Sequence, residues 1–285
     1  MDQLTVTLIT VVRNGGTAFE RAARSVGAQS YRPLEYIVID GGSTDGTVDV
    51  IRSFDDYITH WTSEPDRGIS HAFNKGIAAS TGCYICFVNA DDWLEPDYVE
   101  QAVHALEIRN ADFVFGNLAY HAADGTLLHV IEGDPHYAAS VQSLMPALNH
   151  PTMLVRRAIF DGIGGFDERY KVAMDYDWVL RAHLAGYRGR HVPEIRGHMT
   201  LEGISDRRFL EGLKEVRTIA IHHGQRTTRA WLLFAYRTIK GMVQRVMQRH
   251  APSSLHGSLR GWVNPAYRMA TSGVRSPSES GTSHS

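Results

Sequence analysis

Asn89-Ala90-Asp91-Asp92 stands directly after the apolar run 83–88. Carboxylates at the end of an apolar strand are hard oxygen donors suited to Mg2+ or Mn2+, ions that complete their shells with water and substrate phosphates. The plainer alternative makes Asp92 a helix cap and Asp91 a turn residue. A second apolar run ends in Asp40-Gly41-Gly42-Ser43-Thr44-Asp45-Gly46-Thr47. There a carboxylate can accept hydrogen bonds from a nucleobase imide or a ribose hydroxyl, and glycines let a ligand approach the backbone. A helix-entry loop capped by Ser43 or Asp45 would look the same. Ser63-Glu64-Pro65-Asp66-Arg67-Gly68 follows a third run, and Val12-Arg13-Asn14-Gly15-Gly16 closes the first. The first turn carries no G-x-G-x-x-G, and no G-x-x-x-x-G-K-[ST] occurs, which disfavours hydride transfer and ordinary ATP hydrolysis.

These polar stretches need a scaffold that gathers them. Apolar, β-branched runs at 4–12, 34–39, 57–62 and 83–88 read as strands. Helical spacing at 18–29, 47–54 and 69–80 separates them, with Phe19, Ala22, Ala23 and Val26 on one face. Alternation with short loops predicts an α/β fold with a parallel sheet. In such sheets ligands bind beyond the carboxyl ends of the strands, so the four stretches should converge on one cleft. A helix is expected over 96–110, then a hairpin of 113–120 and 126–131 about Asp124-Gly125, and a helix from Asp175 to Ala185.

The chain has 285 residues, 43% hydrophobic and 21% charged, enough apolar surface for a core and too much for general disorder. No run approaches the roughly 18–20 apolar residues of a spanning helix, and no basic leader precedes residue 4. The net charge of −2 hides a split: from Arg217 onward ten Lys/Arg face one acid, Glu279, leaving the first 216 residues at about −11. Cys83 and Cys86 sit three apart on a strand, hence on opposite faces, which argues against a shared metal or disulfide. Two unpaired thiols suit a reducing cytoplasm.

Four motifs in order resemble family 2 glycosyltransferases over residues 4–205. They are Val38-Ile39-Asp40-Gly41-Gly42-Ser43-Thr44-Asp45-Gly46-Thr47; Ser63-Glu64-Pro65-Asp66-Arg67-Gly68-Ile69 with Ala72-Phe73-Asn74-Lys75-Gly76; Phe87-Val88-Asn89-Ala90-Asp91-Asp92; and Gly164-Gly165-Phe166-Asp167 with Ala173-Met174-Asp175-Tyr176-Asp177-Trp178. The branch is similar to colanic-acid and glycolipid glycosyltransferases. The resemblance implies a GT-A fold with a mixed, mostly parallel central sheet. Residues 1–110 would be its nucleotide-sugar-binding half, 111–205 its acceptor-binding and catalytic half, 206–250 a helical region and 251–285 a disordered tail. It implies inverting transfer from a nucleoside-diphosphate donor, UDP- or GDP-sugar, to a hydroxyl of a saccharide or lipid-linked acceptor, in cell-surface polysaccharide or glycolipid assembly. Asp40 would contact the base, with Val12, Arg13, Asn14 and Gly42 beside it. Asp66, Asn74 and Lys75 would line the ribose–diphosphate path, with Asn89, Ala90 and Asp91 at the phosphates. Asp91, with His198 as a second candidate unless it is a solvated loop residue, would hold Mn2+ or Mg2+; Asp175 would be the general base; Asp92 would face the acceptor, as would His150 unless it only shapes its turn. Asn89 replaces the usual first carboxylate of the metal motif, and Met174 replaces the usual Glu before the base. No Q-x-x-R-W is present, so single addition is expected rather than polymerisation. The rivals are a sugar-nucleotide nucleotidyltransferase and a non-catalytic sugar-nucleotide binder.

Residues 226–250, opening on Arg226 and closing on His250, read as an amphipathic helix without a single acid. The expected partner is an anionic membrane surface, placing the protein in the cytoplasm at the inner face of the plasma membrane. Packing on the catalytic body is the alternative. No nucleic acid is expected as a partner.

Overall fold

The computed structural model describes residues 4–142, 145–200 and 208–250. The chain forms two compact units, 1–238 and 239–285. The first opens with β1 (Val6–Val12), α1 (Gly16–Gly27), β2 (Leu34–Asp40), α2 (Thr47–Arg52), β3 (His60–Ser63), α3 (Ile69–Ala79) and β4 (Tyr84–Phe87). Then come β5 (Asp92–Leu94), α4 (Tyr98–Ile108), β6 (Phe113–His121), β7 (Leu127–Ile131) and α5 (Tyr137–Ser140). A 3-10 turn (His150–Thr152) leads into β8 (Leu154–Arg156), α6 (Arg157–Ile163), α7 (Met174–Leu184) and β9 (Gly189–Thr200). Helix α8 (Phe209–His222) and helix α9 (Thr227–His250) follow.

The described strands form one mixed sheet in the order β3-β2-β1-β4-β8-β6-β9-β5, with β7 on β6. Its first half is parallel, and register decides where the chemistry goes: Val12 lies opposite Asp40, Asp40 opposite Ser63, and Ile9 opposite Phe87. The carboxyl ends of β1 to β4 therefore share one edge. Period-two alternation splits the apolar side chains between two cores. Val6, Leu8, Tyr36, Val38, Tyr84 and Cys86 pack with α1 and α4. Ile9, Ile37, Ile39, Ile85 and Phe87 pack with Phe73 of α3, Trp178 of α7 and Ile219 of α8. The cysteines diverge as their spacing requires: Cys83 is exposed, and Cys86 is buried, its thiol pushed up to about 12 by burial.

The amino ends of the same strands are pinned by Glu35. It is 9% exposed and accepts hydrogen bonds from Thr7 Oγ1, from Thr81 N at 2.8 Å and from Thr81 Oγ1 at 2.9 Å. Burial pushes its carboxyl up, but these donors together hold it below the ordinary value. Glu35→Ala is expected to cost about 1–3 kcal/mol, because Thr7 and the Thr81 amide lose their acceptor. Thermal melts of the two proteins check this. The stabilisation is present above the unfolded pKa and fades as pH falls through the lower folded one, so the melting-temperature gap should narrow in acid.

The first half follows the sequence expectation, with β3 shorter than its apolar run and the short strand β5 added before α4. The second half contains strands that the pattern hides. Strand β9 reads Gly-Arg-His-Val-Pro-Glu-Ile-Arg-Gly-His-Met-Thr, polar and broken by Pro193, and its pairing with β6 shifts register between Phe115 and Asn117. A bulge of that kind accommodates a proline that a regular ladder would not. The expected disordered tail, 251–285, lies outside the described residues. No helix among the described residues is long and apolar enough to cross a membrane.

Candidate active site

The turn after β2 is built on Asp40, which is fully buried. Its Oδ2 accepts from Gly42 N (3.2 Å), Ser43 N (2.9 Å) and Ser63 Oγ (2.6 Å), and its Oδ1 from Ser43 Oγ. An ionised carboxylate offers about four acceptor positions, and here its own loop and Ser63 of β3 take them. Asp40 thus shapes the turn, where the sequence had placed it against a base. The β1 turn docks alongside: Asn14, at φ 53°, receives Thr44 N on its Oδ1 (2.9 Å) and donates its own N–H to Ser43 Oγ (2.7 Å).

Asp66 stands at the mouth of this turn. Its Oδ1 accepts from Gly68 N at 2.7 Å, and its Oδ2 lies so near Gly41 that a Cβ there would sit 2.3 Å away. A side chain at residue 41 would have to push the Asp66 carboxylate aside. The same Cβ would lie 3.5 Å from Arg13 Cβ. Arg13 is exposed, and Asp66 Oδ2 has no hydrogen-bond partner among the described residues, so both groups are open to a polar ligand. Lys75 Nζ meets Glu64 Oε1 at 2.6 Å, holding a cation on the same segment.

The segment after Asp66 is sewn to the loop that precedes α7. Asn74 Nδ2 donates to Phe166 O and Asn74 Oδ1 accepts from Phe166 N, both at 2.8 Å. A Cβ at Gly165 would fall 2.2 Å from Asn74 Oδ1, so this clamp requires glycine there. Both ends of the Asn74 amide are consumed, which makes it a loop clamp in place of the expected nucleotide contact. Ser70 Oγ donates to Tyr170 O (2.8 Å), Lys171 Nζ to Arg67 O (3.0 Å), and Arg67 pairs with Glu168 at 2.9 Å. A continuous set of bonds thus runs from the β3 loop to the start of α7.

Asp175 lies in the first turn of α7, one residue inside the helix that the sequence began there. It is half-buried, with Oδ1 accepting from Tyr176 N at 2.8 Å. Burial pushes its carboxyl up to about 6, and the negative charge of Glu215 adds a smaller push. Two residues on, Asp177 is 2% exposed and bridges Arg181 Nε (2.8 Å) and His223 Nε2 (3.1 Å). Arg181 also donates to Ile163 O (2.7 Å) and Gly165 O (2.6 Å), fixing the glycine loop from the other side.

At the end of β4, Gly15 and Ala90 approach closely: a Cβ on Gly15 would lie 3.6 Å from Ala90 Cβ. Asn89 Nδ2 donates to Asp92 Oδ2 at 2.7 Å. Asp92 is 1% exposed at the start of β5, opposite Met199 of β9, so it cannot meet an acceptor as expected. Burial first, and the adjacent Asp91 charge second, hold its carboxyl well above the ordinary value. Asp91 is different. Its backbone oxygen accepts from Arg21 Nη2 at 3.0 Å, while its half-buried carboxylate has no partner among the described residues. Arg21 lies 3.9 Å above the Trp93 ring, which steadies this donor.

Two histidines depart from expectation. His198 stacks on Trp93 at 5.1 Å and bonds Glu95 Oε1 (2.8 Å) through Nε2 and His121 (3.0 Å) through Nδ1. With both ring nitrogens occupied it braces β9 and is not free to ligate a cation. His150 stacks on Phe87 at 5.3 Å inside the Phe73–Phe166 cluster. Its Nε2 is buried without a partner, and burial takes its pKa down to about 4, so it is a neutral interior ring in place of the expected acceptor contact.

No cluster of three or more His, Cys, Asp or Glu among the described residues makes a ready metal cage. One open carboxylate, Asp91, fits a Mg2+- or Mn2+-type ion whose remaining ligands are water and phosphate oxygens. Sequence reasoning missed Glu215, Arg21 and the Asp177–His223 bridge. No motif marks Glu215, Arg21 or His223, and the motif that contains Asp177 does not reveal its distant partner, because each acts by reaching a backbone or side chain far along the chain.

Residues 7–164 match the family model described as glycosyl transferase family 2. An uncharacterized glycosyltransferase of Mycobacterium tuberculosis is 33% identical over 183 residues, covering 63% of this chain and 69% of that protein. Residues 1–349 of TarS from Staphylococcus aureus superpose with a TM-score of 0.61 at 15% identity, covering 94% of this chain and 81% of that one; TarS has also been solved with UDP. The mannosyltransferase PcManGT of Pyrobaculum calidifontis, solved with GDP-Man and Mn2+, gives a TM-score of 0.59 at 18% identity, covering 95% and 76%. At these identities the likeness is one of fold, and that fold is GT-A.

Proposed function

The chain belongs to glycosyl transferase family 2, and from that premise we propose that it transfers one sugar from a UDP- or GDP-sugar, with inversion, to a hydroxyl of a saccharide or lipid-linked acceptor in cell-surface polysaccharide or glycolipid assembly. The observation that carries this reading is a half-buried carboxylate, Asp175, with its pKa raised to about 6 and a bonded path back to the strand-end turns. A base near neutrality is what abstraction of an acceptor proton needs.

In this reading Arg13 and the open Oδ2 of Asp66 meet the nucleotide beside Gly41, while Asp40 keeps that turn in shape. Asp91 would hold the divalent cation, with water and phosphate oxygens as its other ligands. Such an ion would act as a Lewis acid, neutralising charge on the leaving phosphates. Asp175 accepts the proton of the acceptor hydroxyl as that oxygen bonds the anomeric carbon. The bond from that carbon to the diphosphate oxygen breaks on the opposite face, and the nucleoside diphosphate leaves with the electron pair. Incubation with a panel of UDP- and GDP-sugars plus Mn2+ is expected to release nucleoside diphosphate from one donor class. Pyrophosphate formed from a nucleoside triphosphate and a sugar phosphate would contradict the proposal.

Membrane association is part of the same proposal. On α9, Trp231, Leu232 and Tyr236 are 51%, 72% and 61% exposed, and no acid occurs between Glu215 and Glu279. Arg237 is withdrawn from the charged face: burial lowers its pKa and Nη2 donates to Met145 O at 2.9 Å. The remaining cations are worth about 1 kcal/mol each beside an anionic bilayer. The protein is expected to co-sediment with phosphatidylserine-containing vesicles at 10 mM salt and to dissociate near 1 M, where screening shortens to about 3 Å. Absence of binding at low salt would remove the membrane from the account.

A further inference from the structure

Helix α7 begins without help from its own cap: Ala173 occupies the N-cap position and no side-chain cap bond forms there. Backbone N–H groups at a helix start need acceptors from elsewhere. Here a carboxylate from α8, more than forty residues downstream, holds the three residues that lead into the helix, the last of them the N-cap Ala173. Glu215 Oε1 accepts from Lys171 N at 2.9 Å, and Oε2 accepts from Val172 N and Ala173 N, both at 2.8 Å. The residue after α8, His223, bonds Asp177 at 3.1 Å. Asp175 therefore lies between two points at which the α8 segment grips α7.

Other acids of this region are spent differently. Asp177 is neutralised by Arg181 and bonded by His223, Glu168 is neutralised by Arg67, and Asp167 by Arg169. The nearby cation Lys171 turns its Nζ to Arg67 O at 3.0 Å. Glu215 is the acid outside α7 that acts electrostatically on Asp175, and it does so while bonded to three amides.

We propose that Glu215 is the positioning residue of the general base, holding the 171–173 turn so that Asp175 meets the acceptor hydroxyl and keeping that carboxylate beside a fixed negative charge. This rests on the reading of Asp175 as the base. It makes α8, which lies beyond the span of the family match, part of the catalytic apparatus. The charge works in a definite direction. A fixed anion disfavours ionisation of its neighbour, so removing it should make Asp175 easier to deprotonate and a weaker base.

The test uses the full chain carrying Glu215→Gln, Glu215→Ala or Asp175→Asn. In carboxyl carbon-13 NMR, the Asp175 resonance, assigned by its loss in Asp175→Asn, should titrate near pH 6 in the parent and at lower pH in Glu215→Gln. With the donor identified, kcat should fall roughly tenfold in Glu215→Gln and on the order of 10²-fold in Glu215→Ala, the size expected from slight misplacement of a reacting group. The donor KM should stay within about twofold, and the acid limb of Glu215→Gln should move down with the NMR midpoint. An unchanged midpoint and kcat in a folded Glu215→Gln, with Asp175→Asn inactive, would overturn this inference and leave the base assignment standing. Full turnover in Asp175→Asn would overturn both. Should Glu215→Ala not fold, Glu215→Gln decides alone.

Discussion

Asp175→Asn is expected to lower transfer by about 10²–10⁴-fold, the range for losing a general base, while donor affinity stays near that of the parent. Asparagine preserves the shape of the side chain and its bond to the Tyr176 amide, but it cannot take a proton. The loss should therefore appear in kcat, measured by nucleoside-diphosphate release in the presence of acceptor, with calorimetry reporting donor binding. The parent enzyme should show the matching pH dependence. Burial lifts the Asp175 carboxyl to about 6, and the working form is deprotonated. Rate should then fall as pH drops through about 6, and this acid limb should vanish from the residual activity of Asp175→Asn.

The second large effect belongs to Asp91. Asn89 spends its amide on Asp92, and Asp92 is buried and protonation-prone, so of these three polar residues only Asp91 offers a free carboxylate. Removing it by Asp91→Ala takes away the motif's carboxylate hold on the cation and its share in neutralising the diphosphate. Lewis-acid stabilisation is worth several kcal/mol, and each 1.36 kcal/mol is tenfold in rate. A fall of about 10²–10³-fold in kcat/KM is expected, with a rise in the Mn2+ concentration needed for half-maximal rate. Turnover measured across a Mn2+ series checks this; parent-like rates at low Mn2+ would show that another group holds the ion. Asn89→Ala should be milder, because that side chain already serves Asp92.

The contrast between the halves of the fold shows what sequence pattern can carry. Strands β1, β2 and β4 announce themselves because parallel strands covered on both faces are continuous apolar runs. Their loops stand out through glycine and aspartate. Strand β9 does not, since Pro193 and the bulge against β6 break its period. At the site, residue type placed Asp66, Asp91 and Asp175 on strand-end loops or a helix start. It could not say which acids are already satisfied. Asp40 and Asp92 look as available in the sequence as Asp91, but the fold buries both; Asp40 is fully bonded by its surroundings, and Asp92 keeps one oxygen on Asn89 and the other buried without a partner. The histidines teach the same point: His198 is bonded at both nitrogens, and His150 is kept neutral among aromatic neighbours, neither of which its residue type reveals. Glu215 is the converse, an unremarkable helix residue whose importance lies wholly in the amides it reaches.

The most direct test of the central claim is a crystal structure of the full chain with UDP or GDP and Mn2+. The account predicts the nucleotide against the Gly41 turn between Arg13 and Asp66, the ion on Asp91, and Asp175 facing the diphosphate from across the same cleft. A nucleotide bound elsewhere, or Asp175 opening onto a separate hollow, would contradict it.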